Sequence, residues 1–327
     1  MNETRAVQQQ LDVPQLVQEA IERCADHLSP TPLEYSIHLS EQIKGEVWLK
    51  LDSMQRTSSF KFRGALNKIL SLTEAELERG VVSASTGNYA LAVAEAVRVR
   101  GHRATIYVAE DMDSSRLGLL RSHGLDLVIH GPLPWDAEKE ARRVAEEDGK
   151  IYVSPYNDPL VVGGQGTCGY EISRQLPDVD AGFFACGAGG LLTGSAGWLK
   201  SHNPEVRAFG VSPENSPVMY ESMRTDEMVE METYPTLADT CAGGVDLDSI
   251  TLDLCRRYVD EIVLLTEAEI EASIRLLFEQ HRLVVEGSGA LAVGGLLKRR
   301  EHFKGKKVVA VVCGRNIDLE VFKRIIG

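Results

Sequence analysis

Ser58-Ser59-Phe60-Lys61-Phe62-Arg63-Gly64-Ala65 is the stretch from which the rest of the chain can be read. It follows Glu46-Val47-Trp48-Leu49-Lys50-Leu51, an apolar run of strand length, and opens an amphipathic segment that continues to about Leu72. A strand-to-helix joint places Lys61 among unpaired backbone N–H groups, at the positive end of a helix dipole. That setting disfavours an ammonium, and a neutral lysine amine is the nucleophile that carbonyl chemistry requires. An exposed first-turn lysine is the other reading of the same residues, and the segment alone leaves both open.

Outward from this stretch, apolar runs alternate with helical patterns along the whole chain. Strands are predicted at Val81–Ala84, Ala104–Ala109, Leu125–Ile129, Ile151–Ser154, Gly182–Cys186, Val206–Val211, Glu261–Leu265 and Lys307–Cys313. Helices are predicted at Tyr89–Arg100, Ser114–His123, Trp135–Asp148, Leu191–His202, Glu267–Gln280 and Ala290–Arg300. Such alternation predicts an α/β fold with open, mainly parallel sheets. Residues 80–156 read as a small, mobile domain, with residues 1–79 and 157–327 forming a larger one and a cleft between them. In open α/β sheets ligands gather beyond the carboxyl ends of the strands.

Bulk properties narrow the class. A chain of 327 residues, 43% hydrophobic and 25% charged, has the composition of an ordinary globular protein with ample core. Its net charge of −13 argues against a nucleic-acid or anionic-membrane partner, since both favour a basic face. The six cysteines, at 24, 168, 186, 241, 255 and 313, form no C-x-x-C pair, which suits a reducing compartment. A polar N-terminus and the absence of a membrane-length apolar run lead to the expectation of a cytoplasmic protein.

Four loops carry the chemistry. Ser85-Thr86-Gly87-Asn88-Tyr89 follows the strand at Val81 and could form an anion nest for a carboxylate, or simply cap a helix. Cys186-Gly187-Ala188-Gly189-Gly190-Leu191 links a strand to a helix, where glycines let backbone N–H groups approach a phosphate. It is not a dinucleotide fingerprint, because Leu192 stands where the third glycine belongs, and no lysine follows to make it a Walker loop. A tight turn needing small residues is the competing explanation. Val285-Glu286-Gly287-Ser288-Gly289-Ala290 lacks the spacing of a serine-hydrolase elbow. Cys313-Gly314-Arg315-Asn316-Ile317-Asp318 has no neighbours at metal-ligand spacing.

Taken together these loops resemble the fold type II pyridoxal-phosphate enzymes (tryptophan synthase β-like, two-lobed), within the serine/threonine dehydratase and serine racemase group. Gly164-Gln165-Gly166-Thr167 with Glu171-Ile172, and Pro235-Thr236-Leu237-Ala238-Asp239, add to the resemblance. Phe62 departs from the aspartate that follows the lysine in cysteine and threonine synthases. The resemblance implies that Lys61 is joined covalently to pyridoxal 5'-phosphate and then serves as general base. It implies Phe60 against the cofactor ring, Asn88 at its phenolic oxygen, and Gly187, Ala188, Gly189, Gly190 and Leu191 around its phosphate. Glu286 is expected beside the cofactor and Cys313 at the pyridine nitrogen. Ser85, Thr86, Asn88 and Tyr89 are expected to hold the substrate carboxylate, with Thr86 also catalytic. The activity implied is removal of the β-hydroxyl and amino groups of a small β-hydroxy amino acid, giving a 2-oxo acid and ammonia.

Departures from the pattern keep alternatives open. Thr86 stands where dehydratases carry alanine and serine racemases carry serine, so an amino-acid racemase is the alternative activity. Tyr89 replaces a histidine and Arg315 a glycine. Arg315 could pair with a second carboxylate on a substrate such as 3-hydroxyaspartate, or make a structural contact. Gly243-Gly244-Val245-Asp246 with Cys313-Gly314-Arg315-Asn316 is similar to dehydratases assigned to hydroxyectoine breakdown. Ser212 and Val218 fall where racemase-like members carry acidic metal ligands, so no metal is expected. The resemblance further implies a homodimer, and the end at Gly327 suggests a degradative enzyme lacking a regulatory domain.

Overall fold

The computed structural model describes residues 11–327 apart from Thr86, Asp111 and Asp113. Its strands, in chain order, are β1 Leu33–Tyr35, β2 Glu46–Lys50, β3 Val81–Ala84, β4 Ala104–Val108, β5 Asp126–Ile129, β6 Ile151–Tyr152, β7 Ala181–Ala185, β8 Arg207–Pro213, β9 Glu261–Leu265 and β10 Lys307–Val311. They form a six-stranded sheet of order β1-β2-β10-β7-β8-β9 and a four-stranded sheet of order β5-β4-β3-β6. Every pairing is parallel except β1 with β2. The larger sheet thus sets β10, from the end of the chain, between β2 and β7. The three segments that follow these strands include Lys61, Cys313 and the glycine turn.

Strand sequences explain their position. Ala181-Gly182-Phe183-Phe184-Ala185 is buried at every residue, the continuous apolar run expected of a parallel strand covered on both faces. Phe183 stacks on Phe209 of β8 with ring centroids 4.6 Å apart, and Phe303 meets both rings edge-on. Two helices begin on the same short sequence: Thr73-Glu74-Ala75-Glu76 and Thr266-Glu267-Ala268-Glu269 each close a capping box.

Other elements follow packing more than local preference. The helix Pro159–Gln175 includes Gly163, Gly164, Gly166 and Gly169, poor helix formers that hide it from periodicity. Its glycines let helices touch along their backbones. A Cβ on Gly164 would lie 2.6 Å from the carbonyl oxygen of Arg63, and one on Gly169 would lie 2.6 Å from that of Ser195. The helix expected from Ala290 begins instead at Gly287, which packs so closely against the Leu237 carbonyl that a Cβ would stand only 2.0 Å away.

Lys61–Leu70 joins the two sheets. Phe62, Leu66 and Ile69 share a hydrophobic cluster with Val81, Leu91 and Ile106 of the four-stranded lobe, so the core runs continuously past residue 79. Arg63, on the same helix, is fully buried. Its guanidinium donates to both oxygens of Asp52 at 2.8 Å and to Glu171 at 2.6 and 2.9 Å. Lys50 completes the cluster at 2.5 Å from Glu171. Burial alone would raise the Asp52 pKa, but Arg63, Lys50 and the Thr31 hydroxyl together hold it below the ordinary value.

Candidate active site

Helix Lys61–Leu70 is fixed to the end of β10 before its first turn. Ser59 bridges Gly314 in antiparallel fashion, Phe60 N–H donates to the Cys313 carbonyl at 2.9 Å, and Arg315 N–H donates to the Ser58 carbonyl at 3.0 Å. Ser58 adopts φ 61°, the turn that lets the chain double back into this bridge. Lys61 and Cys313 therefore face one cavity through backbone pairing, not through side-chain packing alone.

The cavity measures about 720 Å³ and opens between the sheets. Phe60, Lys61, Ser85, Asn88, Gly187, Ala188, Gly189, Gly190, Leu191 and Cys313 all line it, as do Gln165, Tyr107, Tyr156 and Ser288. Pro235, Asp239, Thr240 and Cys241 bring in the Pro235–Asp239 motif, and Gly243, Gly244 and Val245 reach its rim. Glu138 stands on the opposite rim, accepting from Tyr152 Oη at 3.0 Å and Arg142 at 2.7 Å; Arg142 crosses to Asp246 at 2.8 Å.

The turn after β7 is shaped for close approach. Gly189 takes φ 88° as the cap of helix Gly190–His202, and a Cβ on Gly190 would stand 2.3 Å from Gln165 Oε1. The first N–H groups of such a helix have no intrahelical acceptor and project at its positive end, which suits a phosphate. Ser288 Oγ, beside Cys313 on the cavity wall, is a buried hydroxyl that makes no well-formed hydrogen bond among the described residues, though the Cys241 thiol interacts with it. A phosphate cradle, a lysine and orphaned polar groups within one cavity fit pyridoxal phosphate.

Electrostatics support the same use. Burial lowers the Lys61 pKa, partly opposed by Cys241, Glu286, Cys313 and Asp239, so the neutral amine is favoured. Burial pushes the Cys313 thiol well above its usual value, with Cys241 and Glu286 adding to the shift, and Cys241 is pushed up to about 12. Cys313 stays protonated and donates to the Ser288 carbonyl at 3.3 Å. Burial also raises the Glu286 pKa, against the hydrogen bond from Asn88.

Several expected residues take other places. Glu286 lies behind Asn88, accepting from its Nδ2 at 2.7 Å. Tyr89 does not offer its side chain to a carboxylate: the ring is fully buried and its hydroxyl donates to the Ser154 carbonyl at 2.7 Å. The helix Asn88–Val99 turns the ring inward, where it is buried with its centroid 6.0 Å from Lys61 Nζ. Arg315 is exposed, with Nε on Ser58 Oγ at 3.2 Å, and stands outside the cavity. A bidentate contact from it to a second substrate carboxylate is therefore not formed by this arrangement. Thr86 lies outside the described residues. Glu171, part of the motif that follows Gly164, belongs to the buried ion cluster. Ser212 donates to the Cys186 carbonyl at 2.6 Å and so braces the glycine turn. Gln165 and Asn316 were within quoted motifs, yet nothing in their spacing marked them as site neighbours.

This cavity defines a class. The chain matches the family model "Pyridoxal-phosphate dependent enzyme" over residues 25–314, and it belongs to that family. It is a pyridoxal-phosphate-dependent enzyme of the two-lobed α/β fold. The chain is 42% identical to the L-threonine ammonia-lyase of Thermotoga maritima over 95% of its own length and 77% of that protein's. The structure of threonine deaminase isoform 2 from Solanum lycopersicum matches with a TM-score of 0.89 at 32% identity, covering 95% of this chain and 92% of that one. Maize serine racemase matches with a TM-score of 0.88 at 27% identity, covering 95% and 96%.

Proposed function

We propose that the protein is an ammonia-lyase converting a small β-hydroxy amino acid, threonine or serine first among them, into a 2-oxo acid and ammonia. The observation that carries this reading is the convergence of Lys61, the Gly187–Leu191 turn and a protonated Cys313 on one cavity. Likeness to an L-threonine ammonia-lyase supports the same choice.

Bound pyridoxal phosphate supplies an electron sink for the charge released when the α-proton leaves. The chain's own groups do the rest. N–H groups of the turn at 187–191 hold the phosphate at a helix N-terminus. Ser85, with the N–H groups at the start of helix Asn88–Val99, binds the substrate carboxylate, and Thr86 belongs to the same loop. Lys61 Nζ, shifted toward the neutral amine by burial, accepts the α-proton. Cys313 would offer the cofactor's ring nitrogen a neutral partner where a carboxylate would impose full charge. A neutral partner there would keep the electron sink weak, which would favour loss of the β-hydroxyl over return of the α-proton. The β C–O bond breaks, hydroxyl leaves with a proton as water, and water then adds back to release ammonia.

Family likeness also supports a cytoplasmic homodimer in which residues 80–156 move as a lobe. Sedimentation of the purified protein tests the dimer. For the activity, ammonia and 2-oxo acid are measured from L-threonine and L-serine with chiral analysis of the remaining substrate. Stoichiometric release of both products is expected, and Lys61→Ala should abolish it together with the visible cofactor band. Racemised serine without ammonia would replace the lyase with an isomerase.

A further inference from the structure

Asn88 is an amide with two chemically different edges, and which edge meets the cavity decides what it can do there. Three large-lobe groups fix that choice. Glu286 Oε1 accepts from Asn88 Nδ2 at 2.7 Å. Asn316 Nδ2 donates to Asn88 Oδ1 at 2.6 Å. Asn316 is itself anchored by groups whose roles are unambiguous: its Nδ2 donates to the Thr57 carbonyl at 3.1 Å, and its backbone N–H donates to Glu286 Oε2 at 3.1 Å. A carbonyl oxygen can only accept, so the Thr57 contact requires the NH₂ end of Asn316 to point inward. That in turn requires the oxygen end of Asn88 to face it.

Glu286 alone does not provide this control. Burial favours its neutral form, and a protonated carboxyl can donate as well as accept, so either edge of Asn88 would satisfy it. Asn316 removes the ambiguity. With one Asn88 N–H on Glu286 and Oδ1 on Asn316, its second N–H is the group left to present to the cavity. The clamp also joins the lobes, since Asn88 starts a helix of the four-stranded lobe while Asn316 and Glu286 belong to the larger one.

We propose that Asn316 is a positioning residue: it locks the amide of Asn88 so that an N–H, not the carbonyl oxygen, faces the cofactor's phenolic oxygen. The role rests on the reading that Asn88 touches the cofactor; Asn316 itself is not among the residues that line the cavity.

The test uses reconstituted holoenzyme and reads the visible absorption band of bound pyridoxal phosphate against pH, without substrate. Cofactor retention and the kcat and KM for threonine accompany it. Asn316→Ala is expected to shift the pH midpoint of the band and weaken cofactor retention by roughly tenfold, the loss of one well-made hydrogen bond. It should lower kcat while KM stays within about twofold. Asn316→Asp, of the same shape, should shift the band as well, because a carboxylate cannot donate to Asn88 Oδ1. In an Asn88→Ala background the Asn316→Ala change should add nothing further to the band. A wild-type band in Asn316→Ala, or a shift that persists in the Asn88→Ala background, overturns the proposal. If Asn316→Ala does not fold, Asn316→Asp is judged by the same criterion, and failure of both to fold makes Asn316 purely structural and overturns it too. Failure to release ammonia would instead overturn the lyase reading, since the band is measured without turnover.

Discussion

Replacing Arg63 with methionine removes the shared cation of the buried cluster and leaves its two carboxylates unequally supported. Glu171 keeps Lys50 at 2.5 Å, but Asp52 loses both guanidinium hydrogen bonds and keeps the Thr31 hydroxyl, 2.7 Å away, with the Lys50 charge farther off. Removing one partner of a fully buried pair costs about 3–5 kcal/mol, because the remaining charge is uncompensated. We expect a loss of that size at pH 7.5, read by urea unfolding of holoenzyme at a fixed excess of cofactor, which itself adds stability by mass action.

The pH dependence gives the loss a signature. In the native protein the Asp52 pKa is held below its unfolded value, so its contribution is fully present above about pH 3.9 and is lost as pH falls through the folded pKa. In Arg63→Met the largest offset to burial is gone, and with Lys50 and the Thr31 hydroxyl alone opposing it the folded pKa of Asp52 is expected to rise above the unfolded one. The folded state then binds the extra proton, and the variant loses stability as pH rises through that window. Its deficit against the native protein should therefore be smaller at pH 5 than at pH 8. Adding Asp52→Asn should recover part of the loss, about 1–2 kcal/mol, and remove the pH dependence. A deficit under about 1 kcal/mol, or one that does not vary with pH, would show that the cluster does not hold Asp52 as a buried carboxylate.

Further consequences can be checked separately. Gly187→Ala would place a methyl 2.9 Å from Cys241 Cα and 3.0 Å from the Cys241 carbonyl oxygen, backbone atoms that cannot swing aside, and overpacking of this kind costs about 1–3 kcal/mol; cofactor titration should show affinity reduced roughly tenfold or more. Cys313→Ser keeps a neutral partner and should retain ammonia release, whereas Cys313→Asp should slow it and increase exchange of the α-proton with deuterated solvent, measured by NMR. Arg315→Ala should leave kcat/KM for threonine within about twofold, because the side chain lies outside the cavity on Ser58; a tenfold loss would place it at the substrate after all.

The candidate site is legible in sequence wherever a role depends on a residue's local setting. A lysine at a strand-to-helix joint, a three-glycine turn before a helix, and a cysteine at a strand end each carry their chemistry in a few consecutive residues. Alternation of strands and helices similarly marked the parallel sheets, and Glu261–Leu265 was found to the residue. Signals of this kind are local, set by hydrogen-bond geometry within a turn or by a repeat of side chains along one segment.

What the sequence could not supply was adjacency. The order β2-β10-β7 puts Lys61, Cys313 and the glycine turn at neighbouring strand ends, though they are far apart in the chain. Tyr89 and Arg315 looked like pocket residues because they stand next to site residues, yet a helical turn buries one ring and a backbone bridge sends the other side chain outward. Helix Pro159–Gln175 escaped notice because its glycines lower local helix preference, and close packing of three helix backbones more than compensates. Asn316 gained its part only when the loop after β10 met Asn88 from the other lobe. Local chemistry is written along the chain, but which groups share a cavity depends on burial summed over the whole core, and only the folded protein determines that.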